Sequence, residues 1–217
     1  AAMRVLHVAY QQWRRYGKTR VSWAHKLTLG LIHDGHYVQV FSDRDVAALE
    51  APFGIRDLGR RRANRRLLET VEAVEPDLVI LGHCDLIGND TLRRLRRRWP
   101  HIVLAHCNND PLFVPDNVTR LRHRGEVVDA VFVSTGWPEL RRFDDLPARF
   151  HHMPNPVDAS IENLDNDEPL KVVYFMDSPE LVEQFRALHE RVTSDSDRPI
   201  TPEERAEIET ELVVAGR

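Results

Sequence analysis

The sequence predicts an α/β fold: a Rossmann-like parallel sheet flanked by helices, followed by a short α/β appendage at the C-terminal end. Two observations carry this expectation. Residues 3–43, MRVLHVAYQQWRRYGKTRVSWAHKLTLGLIHDGHYVQVFSD, read as strand, helix and strand. A βαβ unit of that length sets its two strands parallel through a right-handed crossover. Downstream, Asp77-Leu78-Val79-Ile80-Leu81, Ile102-Val103-Leu104-Ala105 and Ala130-Val131-Phe132-Val133 are apolar without alternation. That is the pattern of strands buried on both faces, and helical patterns separate them, as a parallel sheet requires.

Taken in order, Val5-Leu6-His7-Val8-Ala9 is the first strand. After a polar loop with Gly17 near its end, Ala24, Leu27 and Leu31 fall on one helical face, reinforced by Thr28 and Ile32. Asp34-Gly35 stops this helix, and Tyr37-Val38-Gln39-Val40-Phe41 is the second strand. The stretch 44–59, interrupted by Pro52 and Gly54, reads as irregular. Residues 60–75 form a helix with Leu67, Leu68, Val71 and Val74 inward, ended by Pro76. Asn89 or Asp90 caps the next, in which Leu92, Leu95 and Trp99 stand at i, i+3 and i+7. A weak helix is expected near 117–124, a short one over 138–143, and a last strand at His151-His152-Met153.

From Asp158 the texture changes. Residues 161–169 are acidic and linker-like, 170–176 read as a strand, and Ser178-Pro179 and Thr201-Pro202 open two helices. The expected division is a Rossmann-like domain over 1–157 and an acidic appendage over 158–217.

Composition narrows the function classes. Only two cysteines, Cys84 and Cys107, occur in 217 residues, too few for a disulfide framework, and they fit a reducing compartment such as the cytoplasm. No apolar run approaches the roughly 18 residues of a membrane span, and no signal-peptide pattern opens the chain. The net charge of −4 conceals an asymmetry: residues 158–217 hold 16 acids and 6 bases, the remainder 18 acids and 24 bases. A basic body fits anionic ligands; equally, an acidic tail fits packing against it. The arginine runs at 60–62, 65–66, 93–94 and 96–98 lie on polar helix faces without aromatic interleaving, so they read as solvated faces and no nucleic-acid partner is expected.

Chemistry-bearing residues concentrate at strand ends. Arg15-Tyr16-Gly17-Lys18-Thr19 contains the Gly-Lys-Thr of a phosphate loop, but the glycine required five positions before Gly17 is Gln12. Two readings remain: Gly17, Lys18 and Arg15 contact an anion at a helix N-terminus, or they form a tight turn capped by Thr19. Two further strands end in Gly82-His83-Cys84-Asp85 and His106-Cys107-Asn108-Asn109-Asp110. In a parallel sheet these ends share one edge. His83, Asp85, His106 and Asp110 are types that remove protons or hold sugar hydroxyls. The His-Cys pairs lack metal-ligand spacing, so no bound metal is expected; the alternative for the cysteines is small, buried core residues. Ser134-Thr135 ends another strand and offers hydroxyls.

The segments MRVLHVAY, PDLVILGH, DAVFVSTGWPELRRF and HHMPNPVD, in that order, resemble the N-terminal domain of GT-B glycosyltransferases, in particular family-4-like and CgeB-like groups. HCNNDPLF resembles the Asp-Asp-Pro loop of the latter, and Pro156 stands where the family's junction has glycine. The resemblance covers about residues 3–158. It implies sugar transfer from a nucleotide sugar, used as co-substrate with no bound cofactor, to an unknown acceptor. Asp110 or His106 would then be the base, His83 and Asp85 would orient the acceptor, Asn108, Ser134 and Thr135 would contact substrate, and Arg15, Gly17 and Lys18 would steer phosphates. The tail is too short for the family's second domain. The expectation is therefore a donor-side domain lost or supplied by a partner chain or second copy, or else a non-catalytic binding or scaffold module.

Overall fold

The computed structural model describes residues 2–13, 23–136 and 138–162. The chain divides into two units, Ala1–Asn163 and Leu164–Arg217; the appendage expected at 158–217 lies almost wholly outside the described residues.

The first unit is a six-stranded sheet of order β2-β1-β3-β4-β5-β6. Its strands are β1 (Arg4–Val8), β2 (Tyr37–Phe41), β3 (Leu78–Leu81), β4 (Val103–Asn108), β5 (Ala130–Val133) and β6 (Arg149–His152). Every pairing is parallel, as crossovers through helices demand. The helices are α1 (Trp23–His33), α2 (Asp43–Leu49), α3 (Arg60–Val74), α4 (Asn89–Arg98), α5 (Pro115–Gly125) and the single turn α6 (Ala159–Glu162). Strand periodicity sends alternate residues to opposite faces. Leu6, Val8, Val79, Leu81, Leu104 and Val131 pack with Leu67 and Val71 of α3, Leu92 and Leu95 of α4 and Leu121 of α5. Val5, Ile80, Ala105 and Cys107 face the other way, toward Trp23, Leu27 and Leu31 of α1. Each fully buried leucine contributes about 1.5–3 kcal/mol, and this two-sided burial is what the unbroken apolar strands foretold.

Several local expectations need correction. The irregular stretch 44–59 contains α2 and two 3₁₀ turns, Pro52–Gly54 and Arg56–Gly59. Gly59 packs so closely on α2 that a Cβ there would stand 1.7 Å from the Ala47 carbonyl oxygen. Ile32 is not on the buried face of α1; it is 47% exposed. Gly88, not Asn89, precedes α4 in extended conformation, and the Asn89 side chain instead donates to the His123 carbonyl at 2.6 Å. The last strand begins two residues earlier than expected, at Arg149. Residues 161–162, read as linker, belong to α6, whose start is held by Ser160 N donating to Asp158 Oδ1 at 2.9 Å.

Gly35 ends α1 as expected, at φ +84°, with His36 N donating to Leu31 O at 3.1 Å and Gly35 N to Ile32 O at 2.9 Å. Several arginines of α3 and α4 are paired, Arg66 with Glu50 just after α2 and with Glu69, and Arg98 with Glu72 across the two helices. No helix among the described residues is long and apolar enough to cross a membrane.

Candidate functional site

The strand order reverses direction between β1 and β3. Ligands on open α/β sheets bind outside the carboxyl ends of the strands at such a point. Three segments meet there. Ala9 N donates to Phe41 O at 3.0 Å, Gly82 N to Val8 O at 2.8 Å, and Tyr10 N to His83 O at 3.2 Å. The approach demands glycine at 82, where a Cβ would lie 2.9 Å from that of Ala9.

An open cleft of about 380 Å³ lies on the β2 side of this point, lined by Tyr10, Arg44, Asp45, Ala48, Arg56 and Asp57. Its walls are fixed by hydrogen bonds. Ser42 Oγ donates to Asp45 Oδ2 at 2.5 Å and accepts from Gln11 N at 2.9 Å, while Trp13 N donates to Asp45 Oδ2 at 3.1 Å. Arg44 Nε donates to Asp85 Oδ1 at 2.7 Å, and its guanidinium lies 5.0 Å from the centre of the Tyr10 ring. Burial opposes the charge on Asp85, but the bond to Arg44 and its positive charge prevail and hold that carboxyl below its usual range. Carboxylates, guanidinium groups and a ring around one cavity can hold a hydroxyl-rich ligand by fork-shaped hydrogen bonds and ring contact.

The second part of the edge lies at β4 and β5. His106 pairs in register with Leu81, and Asn108 with Val133. His106 Nδ1 sits 2.9 Å from the Leu81 carbonyl oxygen; because a carbonyl only accepts, this nitrogen carries the proton and Nε2 the lone pair. Burial, and then the charge of Arg124, push the His106 pKa down to about 3. The ring is neutral at physiological pH and a poor base. Asn108 Nδ2 donates to the Asp110 carbonyl at 3.0 Å, shaping the loop that presents the Asp110 carboxylate. That carboxylate is 29% exposed and 3.4 Å from Arg120. Ser134 N donates to Asn108 O, and Ser134 Oγ to Asn109 O, each at 3.3 Å.

The expected site residues therefore fall into groups. His106, Asn108, Asp110 and Ser134 share the β4–β5 edge, with half-buried Thr135 next in chain. His83 is exposed at the end of β3 and stands near enough to depress His106 electrostatically. Asp85 turns away from this group to Arg44. Arg15, Gly17 and Lys18 lie outside the described residues. Cys84 and Cys107 are buried, and burial pushes both thiols up to about 12. Among the described residues no three His, Cys, Asp or Glu side chains converge as metal ligands.

Sequence reasoning placed the loop that begins at Tyr10 beside the site but missed Arg44, Asp45 and Arg56, which line the cavity with Tyr10. The available signal was that the residues after β2 reach the same sheet edge as those after β1 and β3. It also passed over His7 and Asp43. Thr28 Oγ1 donates to Ala24 O at 3.0 Å and so accepts from His7 Nδ1 at 2.8 Å. His7 Nε2 then carries the lone pair, without a partner among the described residues, and burial lowers the pKa to about 4. Asp43 Oδ2 accepts from Leu86 N at 3.1 Å, Oδ1 has no partner among the described residues, and burial raises its pKa to about 6.

No family model matches the chain, and no curated protein matches it either.

Proposed function

We propose that this chain is a glycosyltransferase-like protein of GT-B type, whose first unit binds the acceptor, acting in the cytoplasm. The observation that carries the reading is the alignment of His83, His106, Asn108, Asp110 and Ser134 along one sheet edge, with the open cleft on its β2 side. In transfer, the acceptor hydroxyl loses its proton to a base as its oxygen bonds the sugar's anomeric carbon. The anomeric carbon–oxygen bond breaks and the nucleoside diphosphate leaves with the bonding pair.

Asp110 is the base in this reading. Its carboxylate reaches solvent and is oriented by Arg120, whereas His106, held neutral with a pKa of about 3, serves as a hydrogen-bond acceptor for a substrate hydroxyl. Tyr10, Arg44 and Asp45 hold a sugar ring of the acceptor. Arg15, Gly17 and Lys18 meet the phosphates of the donor. Thermal unfolding with a panel of nucleotide sugars tests the reading, because a ligand at 100 times its Kd stabilises the native state by about 2.7 kcal/mol. A shift with one base supports it; no shift with any base opposes it.

A second reading, a non-catalytic binding module, is supported by the weak basicity of His106. It predicts that sugars bind without any turnover of nucleotide sugars.

A further inference from the structure

The segment between α2 and α3 departs from the rule that large apolar side chains pack inside. Within ten residues Leu49 is 71% exposed, Phe53 97%, Ile55 49% and Leu58 61%. The exposure is held in place by the backbone. Phe53 has φ +58° and Gly54 φ +68°, a left-handed pair that an aromatic residue rarely enters. Gly59, at the base of the projection, packs directly against the Ala47 carbonyl. Arginines flank it: Arg56, Arg60, Arg61 and Arg62 are all exposed. Arg62 donates to the Glu50 carbonyl at 2.5 Å and Arg56 lies 3.8 Å from Asp57, while Arg60 and Arg61 have no ion-pair partner among the described residues.

We propose that this projection docks the protein on an anionic membrane surface. Phe53, Ile55, Leu58 and Leu49 enter the boundary between headgroups and acyl chains, and Arg56, Arg60 and Arg61 meet lipid phosphates and carboxylates. Peripheral binding of this kind needs a few apolar side chains together with basic residues. A second copy of the chain is a poorer occupant. Four side chains fall short of the about 800 Å² per partner of a stable interface, and a two-fold contact would bring the same arginines together. Arg56 also lines the open cleft on the β2 side of the strand-order reversal, so the bilayer would lie next to that opening.

The test is co-sedimentation of the full chain with vesicles of phosphatidylcholine alone, or with roughly one-third phosphatidylserine, at low and physiological ionic strength. The expected result is binding to the anionic vesicles only, weakened by salt. Phe53→Ser should reduce affinity at least ten-fold, and Arg60→Gln and Arg61→Gln about five-fold each. Because these side chains are exposed, the thermal midpoint of each variant should match the parent. The proposal is overturned by no binding to anionic vesicles at low salt, by equal binding to neutral vesicles, or by unchanged binding of Phe53→Ser. It is also overturned by self-association at micromolar concentration that Phe53→Ser abolishes, which would make a second copy the occupant.

Discussion

Arg44, the second residue of α2, is tied to Asp85, in the loop after β3, by a 2.7 Å bond from Nε to Oδ1. The bond spans 41 residues of sequence and fastens the β2 side of the strand-order reversal to the β3 side. Side-chain exposures of 21% and 46% place the pair in partial contact with water, where ion pairs are worth about 0.2–1 kcal/mol. Arg44→Ala also removes the packing on Tyr10 and should cost about 1 kcal/mol, with Asp85→Asn costing less. A double-mutant cycle in urea should return a coupling below about 1 kcal/mol; zero coupling would mean the bond does not persist in solution.

Acid stability follows from the buried histidines. His7 has a folded pKa of about 4 against 6.5 unfolded, and His106 about 3 against 6.5. Between 6.5 and those values the unfolded chain binds one more proton per histidine, so stability falls as pH falls through that window. Asp43 acts oppositely: its folded pKa of about 6 exceeds 3.8 unfolded, so the native state binds the extra proton between those values. Near pH 5 two histidines outweigh one aspartate, a slope of about 1.4 kcal/mol per pH unit in favour of higher pH. His7→Gln keeps a donor for Thr28 and should bring that slope near zero in urea titrations at pH 4.5–5.5.

Asp43→Asn should show the mirror effect. The parent loses the Asp43 contribution as pH rises through about 6, whereas the amide retains an oxygen for Leu86 N and carries no charge to bury. The variant should gain on the parent by about 1–3 kcal/mol between pH 4 and pH 7. A constant difference across that range would mean that Asp43 titrates normally.

Much of the fold was legible, and the exceptions have physical causes. Val5–Val8 and Leu78–Leu81 announced central strands because both their faces are buried. The seven residues of α2 carry no apolar stripe: what they bury is Asp43, Asp45, Ala47 and Ala48, so hydrophobic periodicity had nothing to register. Asn89 is an ordinary capping type, but a tertiary bond to the His123 carbonyl engages its side chain. The β4–β5 edge could be read because its polar residues directly follow apolar strands. Arg44 and Arg56 went unread because the stretch after β2 that carries them, with its α2 and 3₁₀ turns, shows no apolar periodicity and reads as irregular.

Gly59→Ala tests whether the projection beyond α2 is rigidly based. A methyl 1.7 Å from the Ala47 carbonyl oxygen forces α2 and the following turn apart, which should cost about 3 kcal/mol or more in thermal unfolding. A loss below about 1 kcal/mol would mean that the turn moves freely away from α2.

The most direct test of the acceptor-site account is release of nucleoside diphosphate from UDP-, GDP-, ADP- and dTDP-sugars, with and without a mixed pool of sugar acceptors. The account predicts acceptor-stimulated release with one base, reduced by about 10²–10⁴-fold in Asp110→Asn and far less in His106→Gln, with both variants folded. Release unaffected by Asp110→Asn, or no release from any donor under any acceptor, would contradict it.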